Sequence, residues 1–201
     1  ASVSGGGEAI FNTGMTGYQE IFPDPSYSNQ IVVLTGSHYG NTGINFEDIE
    51  SKALYLKGVV VRDYCDVPSN WRSRETLGSY LSRNNIAAIS DIDTREVTQI
   101  LRDEGAQRAV LFPTTGVADP LAHAKQMMAG VPAMEGLDLV SLVSTKAPYL
   151  FSETGKEGTV VVYDFGVKTN ILRFFAERNF RVQVVPYNMP YQEVMKEKPT
   201  A

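Results

Sequence analysis

The sequence predicts an α/β protein in two unequal parts, on three observations. Near the carboxyl end, an apolar run at 160–163, a helical period over 167–179 and a second apolar run at 181–185 follow one another closely. That is the βαβ unit of a parallel sheet. Upstream, short apolar runs alternate with stretches of helical period. Between the two, STKAPYLFSETGKEGT at 144–159 carries turn residues and no period, which marks a domain boundary. The organisation read from this is a first domain over 1–143, a linker over 144–158 and a second, truncated domain over 159–201.

Composition narrows the classes. Of 201 residues, 43% are hydrophobic and 20% charged, an ordinary globular mix. Net charge is −5 and Lys and Arg do not cluster, which argues against a nucleic-acid or anionic-membrane surface. No run of about 18 apolar residues is present, so no segment reads as a membrane-spanning helix. The start, ASVSGGGEAIF, lacks the features of a signal peptide. A single cysteine, Cys65, excludes an internal disulfide and CxxC metal chemistry. A reducing cytoplasm fits these facts.

In order, 9–11 reads as a strand. Gly14 and Gly17 then bracket one bend, and Pro23-Asp24-Pro25 fixes a second, because proline locks its own φ and restricts the residue before it. This double bend, ahead of a buried strand at 30–35, is either a structural corner or a platform for a ligand or partner. A glycine-rich loop at 36–45 follows. No Lys stands at a Walker position and FEDIES comes next, so a phosphate cradle is set aside. Residues 54–61 read as a strand with Gly58 marking a bulge or close approach. Ser73 is the expected cap of a helix with Leu77, Tyr80 and Leu81 inward, ended by Asn84-Asn85 before a strand at 86–89.

IDTREVTQILRDEG at 92–105 is the clearest helix. Asp93 caps it, Glu96 completes a capping box, Val97, Ile100 and Leu101 face inward, and Gly105 is the left-handed stop. A strand at 108–112 follows. Asp119-Pro120 opens another helix, with Leu121, Ala124, Met127 and Met128 inward and Gly130 as its stop. Residues 136–143 form one more short apolar segment. In the second domain Ile171, Leu172 and Phe175 face inward, Pro186 breaks the last strand, and the Lys/Glu-rich 193–198 reads as polar loop. Two parallel strands with so few helices cannot cover both faces of a sheet, so the expectation is a fragment of a longer polypeptide or a fold completed by another chain.

Candidate chemistry is sparse. His38 is a phosphate carrier, an acid–base group or a solvated loop residue. Cys65 has no histidine near it in sequence and reads as structural. Arg95 and Arg102 are an anion site or a solvated helix face. Asp164-Phe165-Gly166 matches a kinase triplet, but the glycine-rich loop, strand lysine and HRD loop are missing upstream, so that reading is rejected.

Longer matches are more specific. NTGMTGYQEIFPDPSYSNQIVVLT at 12–35 and GNTGIN at 40–45 resemble the amino-terminal domain of the small, glutamine-hydrolysing subunit of carbamoyl-phosphate synthetase. SNWRS, the Leu77-x-x-Tyr80-Leu81 helix and IDTREVTQILRDEGAQ are similar to the same domain in the same order. VVYDFGVKTNILR at 161–173 resembles the opening strand and helix of that subunit's glutamine amidotransferase domain. Two departures stand out: Gly36-Ser37 replaces an expected aromatic-proline pair, and the family domain has further strands before Gly7-Glu8.

The resemblance implies a β/β/α swivelling-type domain followed by the start of a class I amidotransferase domain. It implies a thiolate that attacks glutamine, a thioester, and ammonia passed through a tunnel to a large subunit, which uses bicarbonate and two ATP for carbamoyl phosphate in arginine or pyrimidine synthesis. The family's nucleophilic cysteine, oxyanion glycines, His and Glu match no position here. No catalytic residue, metal or cofactor is therefore assigned to this chain; ATP and Mg belong to the large subunit. The one residue carried over is Ser26, similar to the serine that touches glutamine from the amino-terminal domain. The competing expectation is a non-enzymatic adaptor of the same fold, with Tyr18, Tyr27 and Trp71 as contact aromatics.

Overall fold

The computed structural model describes residues 3–201, and these divide into two compact units with the boundary between Leu137 and Asp138. The first is α/β around a five-stranded sheet. Its strands are β1 (Gly5–Asn12), β2 (Gln30–Leu34), β4 (Gly58–Val60), β6 (Ala87–Ile89) and β7 (Gln107–Leu111), in spatial order β6-β4-β2-β1-β7. The first four run parallel and β7 closes one edge antiparallel to β1. Two short strands, β3 (His38–Tyr39) and β5 (Asp63–Tyr64), form a separate parallel ladder. The helices are α1 (Tyr18–Ile21), α2 (Leu77–Arg83), α3 (Thr94–Glu104) and α4 (Pro120–Ala129).

A parallel sheet is stable when both faces are covered, and the strand sequences supply that. On β2, Val32 and Leu34 join a core with Tyr18, Phe22, Tyr39, Ile44, Leu77 and Leu81, while Ile31 and Val33 point to the opposite core with Leu101. The period-2 alternation continues on β4, where Val59 lies on the first side and Val60 on the second. Ile10 and its neighbours Ala9 and Phe11 do the same on β1.

β1 begins four residues ahead of the strand expected at 9–11, inside Gly5-Gly6-Gly7. Glycine weakens a strand interior, but here it is required by space. A Cβ on Gly5 would collide with the Lys57 carbonyl oxygen, and one on Gly7 with that of Asn29. Gly58 is the close approach that its place in β4 suggested, since a Cβ there would lie 2.6 Å from Leu111 Cδ1.

The helix ends show where local rules held. Asp93 Oδ1 accepts from the backbone N–H groups of Arg95 and Glu96, both at 3.1 Å, and α3 starts at the next residue. Asp119 caps α4 through Ala122 N at 3.0 Å, and Gly130 is its C-cap. α2 differs from expectation: its cap is Thr76, whose hydroxyl accepts from Ser79 N at 3.1 Å. Ser73 instead lies against Gly43 and bonds the Glu75 carbonyl. Gly105 has the positive φ of 83° expected of a stop, yet its ψ of 178° is extended, not left-handed helical. Ile100 and Leu121, expected inward, are 45% and 66% exposed. Leu101 fills the place beneath α3, and His123, Ala124, Met127 and Met128 line the half-buried side of α4.

The second unit holds α5 (Val140–Val143), β8 (Tyr149–Ser152), β9 (Thr159–Asp164), α6 (Thr169–Glu177), β10 (Arg181–Pro186) and α7 (Tyr191–Lys196). Its sheet has the order β8-β10-β9, with β9 and β10 parallel around α6. The stretch read as a linker over 144–158 thus contains β8, paired antiparallel to β10. Its Tyr149 and Phe151 reach the core formed by Leu172, Val182 and Val184. Ile171 is exposed, so α6 packs through Leu172, Phe175 and Ala176. The Lys/Glu-rich stretch is helical rather than loop, with Val194 buried. Along β9, Val161 N donates to the Ala201 carbonyl at 2.9 Å.

Two substitutions test this architecture by denaturant unfolding. Asp93→Ala removes the α3 cap and should cost about 1 kcal/mol. Phe22→Ala empties a fully buried site and should cost about 3–5 kcal/mol.

Candidate functional site

The double bend connects β1 to β2. Its second half is a single 3₁₀ turn, Pro25–Tyr27, entered through Asp24 in an extended conformation. Asp24 Oδ1 accepts from Ser26 N at 2.9 Å, and the Asp24 and Pro25 carbonyls accept from Tyr27 N and Ser28 N at 3.1 and 3.0 Å. Phe22, Pro23, Asp24 and Pro25 are all buried, whereas Ser26 is exposed. The turn's N–H groups are therefore satisfied by Asp24 and the Pro25 carbonyl. The Ser26 hydroxyl makes no hydrogen bond to any described residue and stands at the tip of a buried turn.

Asn12, the last residue of β1, joins this turn to the first bend. Its Oδ1 accepts from Gly14 N at 2.7 Å, and its Nδ2 donates to the Tyr27 phenol at 2.8 Å. Tyr27 packs its ring against the core below.

A second network fastens the bend to the glycine-rich loop. Gln19 and Asn45, both buried, pair reciprocally: Gln19 Nε2 donates to the Asn45 carbonyl at 2.5 Å and Gln19 Oε1 accepts from Asn45 N at 2.9 Å. The Tyr18 phenol donates to the Gly43 carbonyl at 2.8 Å and accepts from Thr42 Oγ1 at 2.9 Å. Asn45 holds Asp48, and Asp48 meets Arg72 at 2.9 Å. The hydrogen bond that Arg72 donates to the Asp48 carboxylate raises the Arg72 pKa further. A polar recess of about 170 Å³ lies among Glu20, Thr42, Asp48, Asn70 and Arg72. No sequence signal announces the Gln19–Asn45 pair, whose members lie 26 positions apart.

The remaining polar candidates fall elsewhere. β3 and β5 bring His38 Nδ1 to 3.6 Å from Asp63 Oδ2, with both side chains well exposed. Cys65 is half-buried, and its thiol bonds the Val67 carbonyl at 3.2 Å. Among the described residues no group of three or more His, Cys, Asp or Glu side chains could hold a metal ion.

A family model described as carbamoyl-phosphate synthase small chain, CPSase domain, matches residues 1–111, which contain the whole bend, Ser26 and the networks around it. The chain belongs to the carbamoyl-phosphate synthase small chain family. It is 46% identical over 96% of its length to the carbamoyl phosphate synthase small chain of Pseudomonas syringae pv. tomato, covering 54% of that protein. The corresponding figures are 44%, 96% and 54% for the small chain of Vibrio cholerae, and 45%, 98% and 56% for that of Solidesulfovibrio magneticus. The chain thus spans about half the length of the curated relatives it matches.

Within this member of the small chain family, Asp164 is buried and accepts from the N–H groups of Thr145, Gly166 and Val167 at 2.7, 2.9 and 3.0 Å. The carboxylate closes the turn after β9 and shapes backbone. Arg95 is exposed, and Arg102 pairs at 2.8 Å with its neighbour Asp103, so both lie on the solvated face of α3. Of the three aromatics offered as a contact surface, Tyr18 is buried and corrects that expectation, Tyr27 is half-buried, and Trp71 is 88% exposed. Among the described residues no helix is long and apolar enough to cross a membrane.

Burial raises the pKa of Tyr18, Tyr39 and Tyr80 above the ordinary 10.0. A raised folded-state value means that the fold favours the neutral phenol. The associated stability is present in full below the unfolded pKa and is lost as pH rises through the folded values. Denaturant stability should therefore hold up to about pH 9 and decline above about pH 10, in step with tyrosinate absorbance. Tyr18→Phe should make that alkaline decline shallower.

Proposed function

We propose that this chain forms the amino-terminal part of a glutamine-hydrolysing small subunit of carbamoyl phosphate synthase, with Ser26 contacting bound glutamine. The observation that carries the reading is the family match over residues 1–111, which includes an exposed serine hydroxyl on a backbone-satisfied turn. Ammonia released from glutamine would pass to a large-subunit partner, where ATP, Mg and bicarbonate act, so the chain needs no cofactor of its own.

The chemistry available here is binding, not bond cleavage. A nucleophilic thiolate needs a base beside it. The chain's single cysteine, Cys65, bonds a backbone carbonyl, and its nearest ladder neighbours are Tyr39 and Tyr64 rather than an imidazole. Ser26 can donate to or accept from a polar group of glutamine. Because the turn is already fixed, little conformational freedom is lost when it does so.

In the complete protein that carries this chain, Ser26→Ala should raise the KM for glutamine about fivefold, equivalent to roughly 1 kcal/mol, with kcat nearly constant. A steady-state assay with unchanged KM would remove Ser26 from the site. The purified 201-residue chain alone should release no ammonia from glutamine. Release above background would mean that a nucleophile lies within it.

A further inference from the structure

We propose that Asn12 is the positioning residue for the Ser26 hydroxyl, acting through Tyr27. The inference rests on the reading of Ser26 as a glutamine contact and deepens it. Asn12 is anchored at the carboxyl end of β1, in register with Leu34, and its carbonyl accepts from Thr35 N at 3.2 Å. From that rigid base its side chain serves both bends at once. The amide oxygen takes Gly14 N–H at 2.7 Å and the amide nitrogen gives to the Tyr27 phenol at 2.8 Å. Tyr27 is the residue after Ser26 and the last of the 3₁₀ turn. Asp24 fixes the entry to that turn through Ser26 N, and Asn12 fixes its exit through Tyr27. The backbone of the serine is held from both sides, so the place from which its hydroxyl projects is set by two side chains of the protein itself.

The donor and acceptor inventory makes the role testable. Asparagine offers one acceptor for the Gly14 N–H and one donor for the phenol oxygen. Aspartate keeps the acceptor, and the phenol can turn to donate to its second oxygen. Leucine has nearly the same size and serves neither partner. Tyr27→Phe removes one oxygen without changing ring volume and breaks only the exit tie.

The experiment is glutamine-dependent turnover of the complete protein with its synthase partner, reading KM and kcat separately. Asn12→Leu and Tyr27→Phe should each raise KM for glutamine about fivefold, matching Ser26→Ala, with kcat changed less than about twofold. Asn12→Asp should recover most of the loss. In a Ser26→Ala background, Asn12→Leu should add no further rise, because it acts through a hydroxyl already removed. A rise of equal factor in both backgrounds overturns the proposal, as does unchanged KM in both Asn12→Leu and Tyr27→Phe while Ser26→Ala raises it. Unchanged KM in Ser26→Ala itself overturns the glutamine reading beneath it.

Discussion

The parallel pairing of β1 with β2 is the constraint from which the rest of the first unit follows. Parallel neighbours need a crossover that travels back along the sheet, and a long helix usually supplies it. Here residues 13–29 make the return with a four-residue helix and one 3₁₀ turn. A path so short in helix leaves backbone groups without helical partners, to be satisfied by other groups or by water. Side chains provide them. Asn12 serves Gly14, Asp24 serves Ser26, Gln19 serves both main-chain groups of Asn45, and Tyr18 serves Gly43. The density of side chain to backbone bonds around the bend is thus a consequence of topology, and so is the rigidity of the surface the bend presents.

The same constraint places the apolar anchors. Phe22 is fully buried midway through the crossover, beside Tyr18 at a ring separation of 5.9 Å, with Tyr39 edge-on to Tyr18 at 5.8 Å. This aromatic group pins the crossover to the face formed by Val32, Leu34 and Val59. It also explains why Tyr18, so prominent in the sequence, is unavailable to a partner. Its ring is core, and its hydroxyl joins α1 to the glycine-rich loop. A tyrosine in a loop motif reads equally as contact or as core, and burial separates the two only in three dimensions.

What the sequence made legible was local. The Asp93 cap, the proline-fixed turn before β2 and the βαβ unit around α6 are each written in one short stretch of chain, and each was found. What it hid was set by distant partners. The strand expected at 9–11 left out the glycines where β1 begins, and their place in it is set by the Lys57 and Asn29 carbonyls, which leave no space for a side chain. β8 lay in a stretch without period, because a four-residue strand held on one edge shows its pattern only against β10. Ile100 and Ile171 sit at helical spacing from buried residues, but a sheet covers one narrow stripe of a helix, and Leu101 and Leu172 occupy it. In the site, Ser26 was visible through its motif. Asn12 was not, because nothing local tells that a strand-terminal asparagine reaches a phenol 15 positions away.

Rigidity decides whether an exposed hydroxyl can contribute to recognition at all. A neutral hydrogen bond made in competition with water is worth about 0.5–1.5 kcal/mol. Fixing the backbone of a loop residue costs about 1–2 kcal/mol, the same magnitude with the opposite sign. A serine on a mobile loop would therefore gain nothing net by meeting a ligand. Ser26 differs because folding has already ordered its turn, through Pro25, the Asp24 carboxylate and the Asn12–Tyr27 tie, while leaving the hydroxyl itself in solvent. The ordering cost is borne by the core, since Phe22, Pro23, Asp24 and Pro25 are buried in the fold itself. The crossover thus joins stability to display: the bonds that complete the backbone of a return path so short in helix are the same ones that fix the backbone beneath one surface hydroxyl.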